Sequence, residues 1–123
     1  MTVNLAAYPP DPELFNAQAE SAARRLDQAD RNMNKSTQIR RFYDELVGWQ
    51  ERIKGQDDKF KEFEAFIRML NAKVAYAKSR KLVDEGFETW FRECIKSTTS
   101  ARALDHFRLH FEAVLGFLKA LRG

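Results

Sequence analysis

Two histidines, His106 and His110, stand four residues apart, the spacing that puts two imidazoles on one helix face and can present both to one metal ion. A metal site needs a third ligand, and no Asp or Glu accompanies them at the spacing of a known zinc motif. They are therefore expected to be two helix-surface histidines, and no metal or cofactor is expected. Arg102 precedes His106 by four positions. Such a pair would be one ingredient of RNA cleavage, which needs a group of near-neutral pKa at the 2′-hydroxyl. With only three residues between them, the spacing does not match that of helical-bundle ribonucleases. Cys94, the one cysteine, has no His within a turn and falls at an inward helix position, so it reads as a small core side chain. No glycine-rich phosphate loop occurs, because the five glycines are scattered. An enzyme is not expected.

The other feature with chemical content is charge. From Arg31 to Tyr43 the charged residues are Arg31, Lys35, Arg40 and Arg41, and from Ala65 to Val83 they are Arg68, Lys73, Lys78, Arg80 and Lys81. Neither stretch contains an acid. Residues 31–81 hold 13 Lys+Arg against 7 Asp+Glu, whereas residues 1–30 hold 2 against 5 and residues 82–123 hold 6 against 6. The positive charge lies in the middle third of the chain, where a polyanion would be held largely independently of its sequence. Tyr43, Trp49 and Tyr76 lie in or beside these stretches and are candidates to show a ring face to a nucleotide; for each the commoner role is packing.

The elements that must position these residues are helices. The three prolines fall in YPPDP near the start, and Asp11 followed by Pro12 suits an N-cap and first helical residue. A first helix is expected from there to about Asp30, with Leu14, Ala22, Leu26 and Ala29 inward. Ser36 or Thr37 would cap a second, with Ile39, Phe42, Tyr43, Leu46, Trp49 and Ile53 on one stripe and Gly55 ending it. A third carries Phe60, Phe63, Ile67, Leu70, Val74 and Ala77 in heptad rhythm. Phe66, Met69 and Tyr76 add a second strip to it, which predicts a central helix contacted from two sides. A fourth spans about Lys81–Lys96, with Val83, Phe87, Trp90, Cys94 and Ile95 inward. After the STTS turn a fifth carries Leu104, Phe107, Phe111, Val114, Leu115, Leu118 and Leu121. Short connections imply antiparallel neighbours. The reading is all-α: a compact antiparallel bundle of about five helices, with residues 1–10 a flexible N-terminal segment and 11–123 a single domain. No apolar run approaches the ~20 residues of a membrane span, and the lone cysteine suits a reducing cytoplasm.

Three strings carry a resemblance: KSTQIRRFYDEL (Lys35–Leu46), FIRMLNAKVAYAKSR (Phe66–Arg80) and FRLHFEAVLGFLKAL (Phe107–Leu121). Together, over about residues 34–121, they resemble the small subunit of the type III-A CRISPR effector (Csm) complex. Gln38-Ile39-Arg40-Arg41-Phe42-Tyr43 is similar to that family's first element. Leu70, Lys73, Val74, Ala75, Tyr76, Ala77 and Arg80 are similar to its second, and Phe107, Phe111, Glu112 and Ala113 to most of its third. Arg41 for Lys and Gly116-Phe117 for Ala-Tyr are mild departures. The resemblance implies a non-catalytic helical protein, several copies of which stack as a filament where target RNA pairs with guide RNA, beside the other Csm subunits. Guide pairing then reads sequence while the protein touches backbone and shape. On this reading Arg40, Arg41, Lys73 and Arg80 are the first phosphate contacts, with Lys35, Lys78 and Lys81 behind them. Gln38 would bond a 2′-hydroxyl or steady its helix, and Tyr76 joins the RNA-binding set. An adaptor bundle binding an acidic protein is the alternative, and a ribonuclease the remoter one.

Overall fold

In a computed structural model, residues 3–123 form six helices: α1 (Ala17–Asp27), α2 (Ser36–Ile53), α3 (Asp57–Arg68), α4 (Leu70–Ser79), α5 (Glu85–Ser97) and α6 (Ala101–Arg122). No strand occurs among the described residues. The expected third helix is present as α3 and α4. At Met69 the backbone stays right-handed (φ −64°, ψ −17°), but the Ala72 N–H bonds to the Met69 carbonyl three residues back, tightening one turn. Counted as one rod, α3–α4 gives the five-helix bundle that the periodicity predicts.

Local chemistry sets the ends. Asp84 accepts from the Phe87 N–H at 2.9 Å and starts α5, with Glu85 and Glu88 complementing the positive end of the dipole. Ser100 does the same for α6 through the Ala103 N–H at 3.0 Å. Lys54 (φ +48°) and Gly55 (φ +73°) are left-handed and stop α2, as the glycine predicts. Its start differs from the expectation. Lys35 is the capping residue and makes no side-chain cap, while Ser36 and Thr37 already lie in the first turn. Lys81 is left-handed (φ +60°), so the fourth helix begins at Glu85 rather than at Lys81.

The centre of the bundle is α6, not the expected third helix. Its inward face presents Leu104, Phe107, Phe111, Val114 and Leu118, all buried, to α1, α2 and α5. Phe42, Phe87, Trp90, Phe91, Phe107 and Phe111 interlock through tilted, stacked and edge-to-face contacts, the closest being Trp90–Phe111 at 4.9 Å and 89°. Such contacts add ~0.5–1.5 kcal/mol per pair beyond area burial. Tyr43 Oη donates to Glu112 at 3.0 Å and Gln50 Nε2 to Asp105 at 2.9 Å, which fixes α2 antiparallel to α6. The second strip of the third helix stays outside: Phe66 is 50% exposed, Met69 51% and Tyr76 63%.

The N-terminal segment corrects the expected start of the first helix. Before it, Val3 and Leu5 are buried in the core, and the Leu5 N–H donates to Ser97 Oγ at 2.7 Å. Asp11 caps only a turn, accepting from the Glu13 N–H at 2.8 Å, and the regular helix waits until Ala17. Leu14, Ala22 and Leu26 point inward as expected, whereas Ala29 is only half-buried. Met1 and Thr2, also assigned to that segment, lie outside the described residues.

Candidate nucleic-acid interface

The histidines come first, because they carried the only catalytic or metal-binding possibility. Both are buried rather than on the surface. His106 Nδ1 lies 2.8 Å from the Leu5 carbonyl, and His110 Nδ1 lies 2.7 Å from the Leu14 carbonyl. A carbonyl only accepts, so both Nδ1 atoms carry the proton. His110 Nε2 then accepts from Trp90 Nε1–H at 3.1 Å, which saturates the ring as a neutral imidazole. Burial lowers its pKa, against the opposing pull of the Leu14 carbonyl. The i, i+4 spacing therefore serves to fasten two points of the N-terminal segment to α6. No group of three metal-ligating side chains occurs among the described residues. Burial and the neighbouring Glu93 charge push the Cys94 thiol well up, so it is inert packing.

The basic residues lie outside. Lys35, Arg40 and Arg41 are exposed on the first turns of α2, with Gln38 half-buried among them. Lys73, Tyr76 and Lys78 are exposed on α4, and Arg80 and Lys81 follow its end. What brings the two stretches together is Asn34. It is fully buried in a left-handed conformation (φ +55°) that asparagine tolerates well. Its N–H donates to the Leu82 carbonyl at 2.9 Å. Its side chain donates to the Leu26 carbonyl at 3.1 Å and to Asp84 Oδ1 at 2.9 Å, and accepts the Asp84 N–H at 3.0 Å. Lys35 and Lys81 are thus chain neighbours of residues bonded to each other.

Two of the sequence-predicted cations are not free. Lys73 Nζ pairs with Glu45 at 2.8 Å and Lys78 Nζ with Glu88 at 3.2 Å. Both acids lie outside the acid-free stretches, on elements packed alongside, so a linear reading missed them. Among the described residues, Lys35, Arg40, Arg41, Arg80 and Lys81 have no carboxylate in salt-bridge reach. Arg40 also lines a cleft of about 280 Å³ between α2 and α6, with Ser36, Thr37, Leu115, Leu118 and Lys119. Lys119 is a cation that sequence reading passed over. It lies outside both basic stretches, and only the α2–α6 packing brings it to Arg40.

The three candidate stacking rings separate clearly. Tyr43 is buried, edge-on to Phe111 at 5.4 Å. Trp49 has Phe66 stacked on it at 5.9 Å and 11°, and Arg52 lies 5.2 Å from its centroid. Among the described residues Tyr76 touches no other aromatic ring, and it is the most exposed of the three. Arg80 holds its hydroxyl at 3.2 Å.

A family model described as Csm2 Type III-A matches residues 9–123. Neither the curated proteins nor the solved structures give a match. The matched span is longer than the resemblance over residues 34–121 and includes Leu14, one of the two points that the histidines fasten, but not Leu5. No helix among the described residues is long and apolar enough to cross a membrane. The match across essentially the whole all-helical chain, with the basic α2 and α4 elements in order within it, establishes that the chain belongs to the Csm2 family, the structural small subunit of the type III-A CRISPR effector complex.

Proposed function

We propose that this chain is a non-catalytic RNA-backbone support in the cytoplasm. Copies stack alongside the guide–target RNA duplex and contact its phosphates through α2 and the end of α4. The observation that supports the reading is the set of five cations without a carboxylate partner among the described residues, Lys35, Arg40, Arg41, Arg80 and Lys81, two of which, Lys35 and Lys81, the Asn34 clasp brings close from the two stretches. Lys73 and Lys78 contribute less, because RNA must compete with Glu45 and Glu88 for them, although exposed pairs are worth only ~0–1 kcal/mol. Gln38 lies within the same first turns and supports a ribose contact. A single copy offers few phosphate contacts, so affinity grows with assembly, where stacked copies raise the effective concentration.

The test compares wild type with Arg40→Ala/Arg41→Ala, alone and in the assembled effector, across a salt series. Single-strand affinity falls with salt at a log–log slope of about −0.7 per phosphate contacted. The double variant is expected to bind more weakly and to flatten that slope by roughly one such increment per arginine engaged. Unchanged affinity and slope would remove α2 from the interface. Indifference of wild type to RNA would favour the adaptor reading, with an acidic protein partner.

A further inference from the structure

The α3–α4 rod carries an outward stripe that the bundle uses only in part, through Phe66 on Trp49 and Lys73 on Glu45. Phe66, Met69, Lys73, Tyr76 and Arg80 follow one another at alternating intervals of three and four, so they share a single face, and all are exposed. Helical side chains at that spacing normally pack against a neighbour, as Ile67, Leu70, Val74 and Ala77 do on the adjacent face of this rod, about 100° further round. The stripe changes character along its length. Phe66 leans on Trp49 at the apolar end, while the other end reads Lys, Tyr, Arg at intervals of three and four.

We propose that Tyr76 is a stacking platform for an unpaired nucleobase, with Lys73 and Arg80 holding the flanking phosphates. The inference rests on the RNA reading above and adds base contact to what is otherwise a backbone interface. Charge and geometry favour a single-stranded segment as the occupant. Two cations stand one turn to either side of the ring, at a reach suited to successive phosphates of a strand whose base lies between them. Arg80 already orients the phenol, donating from Nη1 to the hydroxyl at 3.2 Å, with its guanidinium carbon 5.9 Å from the ring centroid. Of the three candidate stacking rings, Tyr43, Trp49 and Tyr76, Tyr76 alone keeps most of its surface open, at 63%. Glu45, which lies against the stripe, is neutralised by Lys73 until a phosphate replaces it, as Glu88 is by the neighbouring Lys78.

The experiment uses the full chain with two probes of equal length and charge, a short oligouridine and an abasic ribose-phosphate strand. Tyr76→Ala is expected to weaken oligouridine binding by on the order of tenfold and to leave the abasic strand unaffected, while Tyr76→Phe binds both as wild type does. The residue is exposed, so thermal melting of Tyr76→Ala should match wild type and certify the fold. Equal loss on both strands, or no loss on either, overturns the stacking assignment. Loss of co-purifying protein subunits with oligouridine binding intact assigns the stripe to a protein contact and overturns it as well. Arg40→Ala/Arg41→Ala serves as the separate gauge of the backbone reading, since it should weaken both strands alike. If wild type binds neither strand, both readings fall together.

Discussion

The inner face of α6 and the outer face of α4 display chemically capable side chains at helical spacing, and the fold treats them oppositely. On α6, His106 and His110 look outward-facing in the sequence, yet each is buried and bonded to a backbone carbonyl. On the α3–α4 rod, Met69 and Tyr76 look like core by the same criterion and stay in solvent. Spacing alone does not separate ligand from fastener. What separates them is whether the partners are already in place, and on α4 the ring of Tyr76 and the guanidinium of Arg80 still have capacity to spare.

The largest expected effect is on the α6 side. His110→Ala strands the Leu14 carbonyl and the Trp90 N–H in the interior and opens a cavity, for a loss of roughly 3 kcal/mol. Tyr76→Ala should change stability by less than about 0.5 kcal/mol, as exposed substitutions usually do. Denaturant unfolding of the two variants measures the contrast directly, and similar losses would erase it. Limited proteolysis adds a local readout, since His110→Ala should also expose the segment before Ala17.

An intermediate effect is expected from pH. The folded pKa of His110 is depressed, so between the ordinary value of about 6.5 and that lower value the unfolded chain binds the extra proton. Its contribution to stability is therefore complete above the unfolded pKa. It declines as pH falls below that value and levels off once pH passes the folded pKa. Replacing His110 with Gln, which cannot titrate, should flatten that part of the stability–pH curve. A curve of unchanged shape would mean that another group governs it.

The smallest effect concerns the paired lysines. Lys73→Ala/Lys78→Ala should cost at most about 1 kcal/mol of stability, because exposed ion pairs are worth little. It should also weaken RNA binding less than Arg40→Ala/Arg41→Ala does. A larger loss of RNA affinity from the lysine pair would reverse the ranking of free over paired cations.

Much of the architecture was legible because burial writes itself into periodicity. Ile39, Phe42, Leu46 and Ile53 on α2, and Phe87, Trp90, Cys94 and Ile95 on α5, point inward as their spacing requires. The third helix was misplaced for a physical reason. Its second apolar strip imitates two-sided burial, and nothing in composition distinguishes a strip awaiting a partner from one already covered. The N-terminal segment was illegible because it has no period. Its anchors are backbone carbonyls read by histidines from the far end of the chain. For the interface, residue types were legible, but the neutralising roles of Glu45 and Glu88 depend on which helices lie side by side.

The order in which the chain is made gives the histidine fastening a further meaning. Leu5 bonds to Ser97 and His106, across sequence separations of 92 and 101 residues. The Leu5 segment is translated before α6 and can therefore dock only after that helix has been synthesised. At ~5–20 residues per second, the apolar side chains of Leu5 and Leu14 wait uncovered for on the order of ten seconds on the nascent polypeptide. Closing such distant contacts is the slow kind of step in folding. For that interval the nascent chain presents these core residues to chaperones, until α6 is made and its histidines fasten the Leu5 and Leu14 segment.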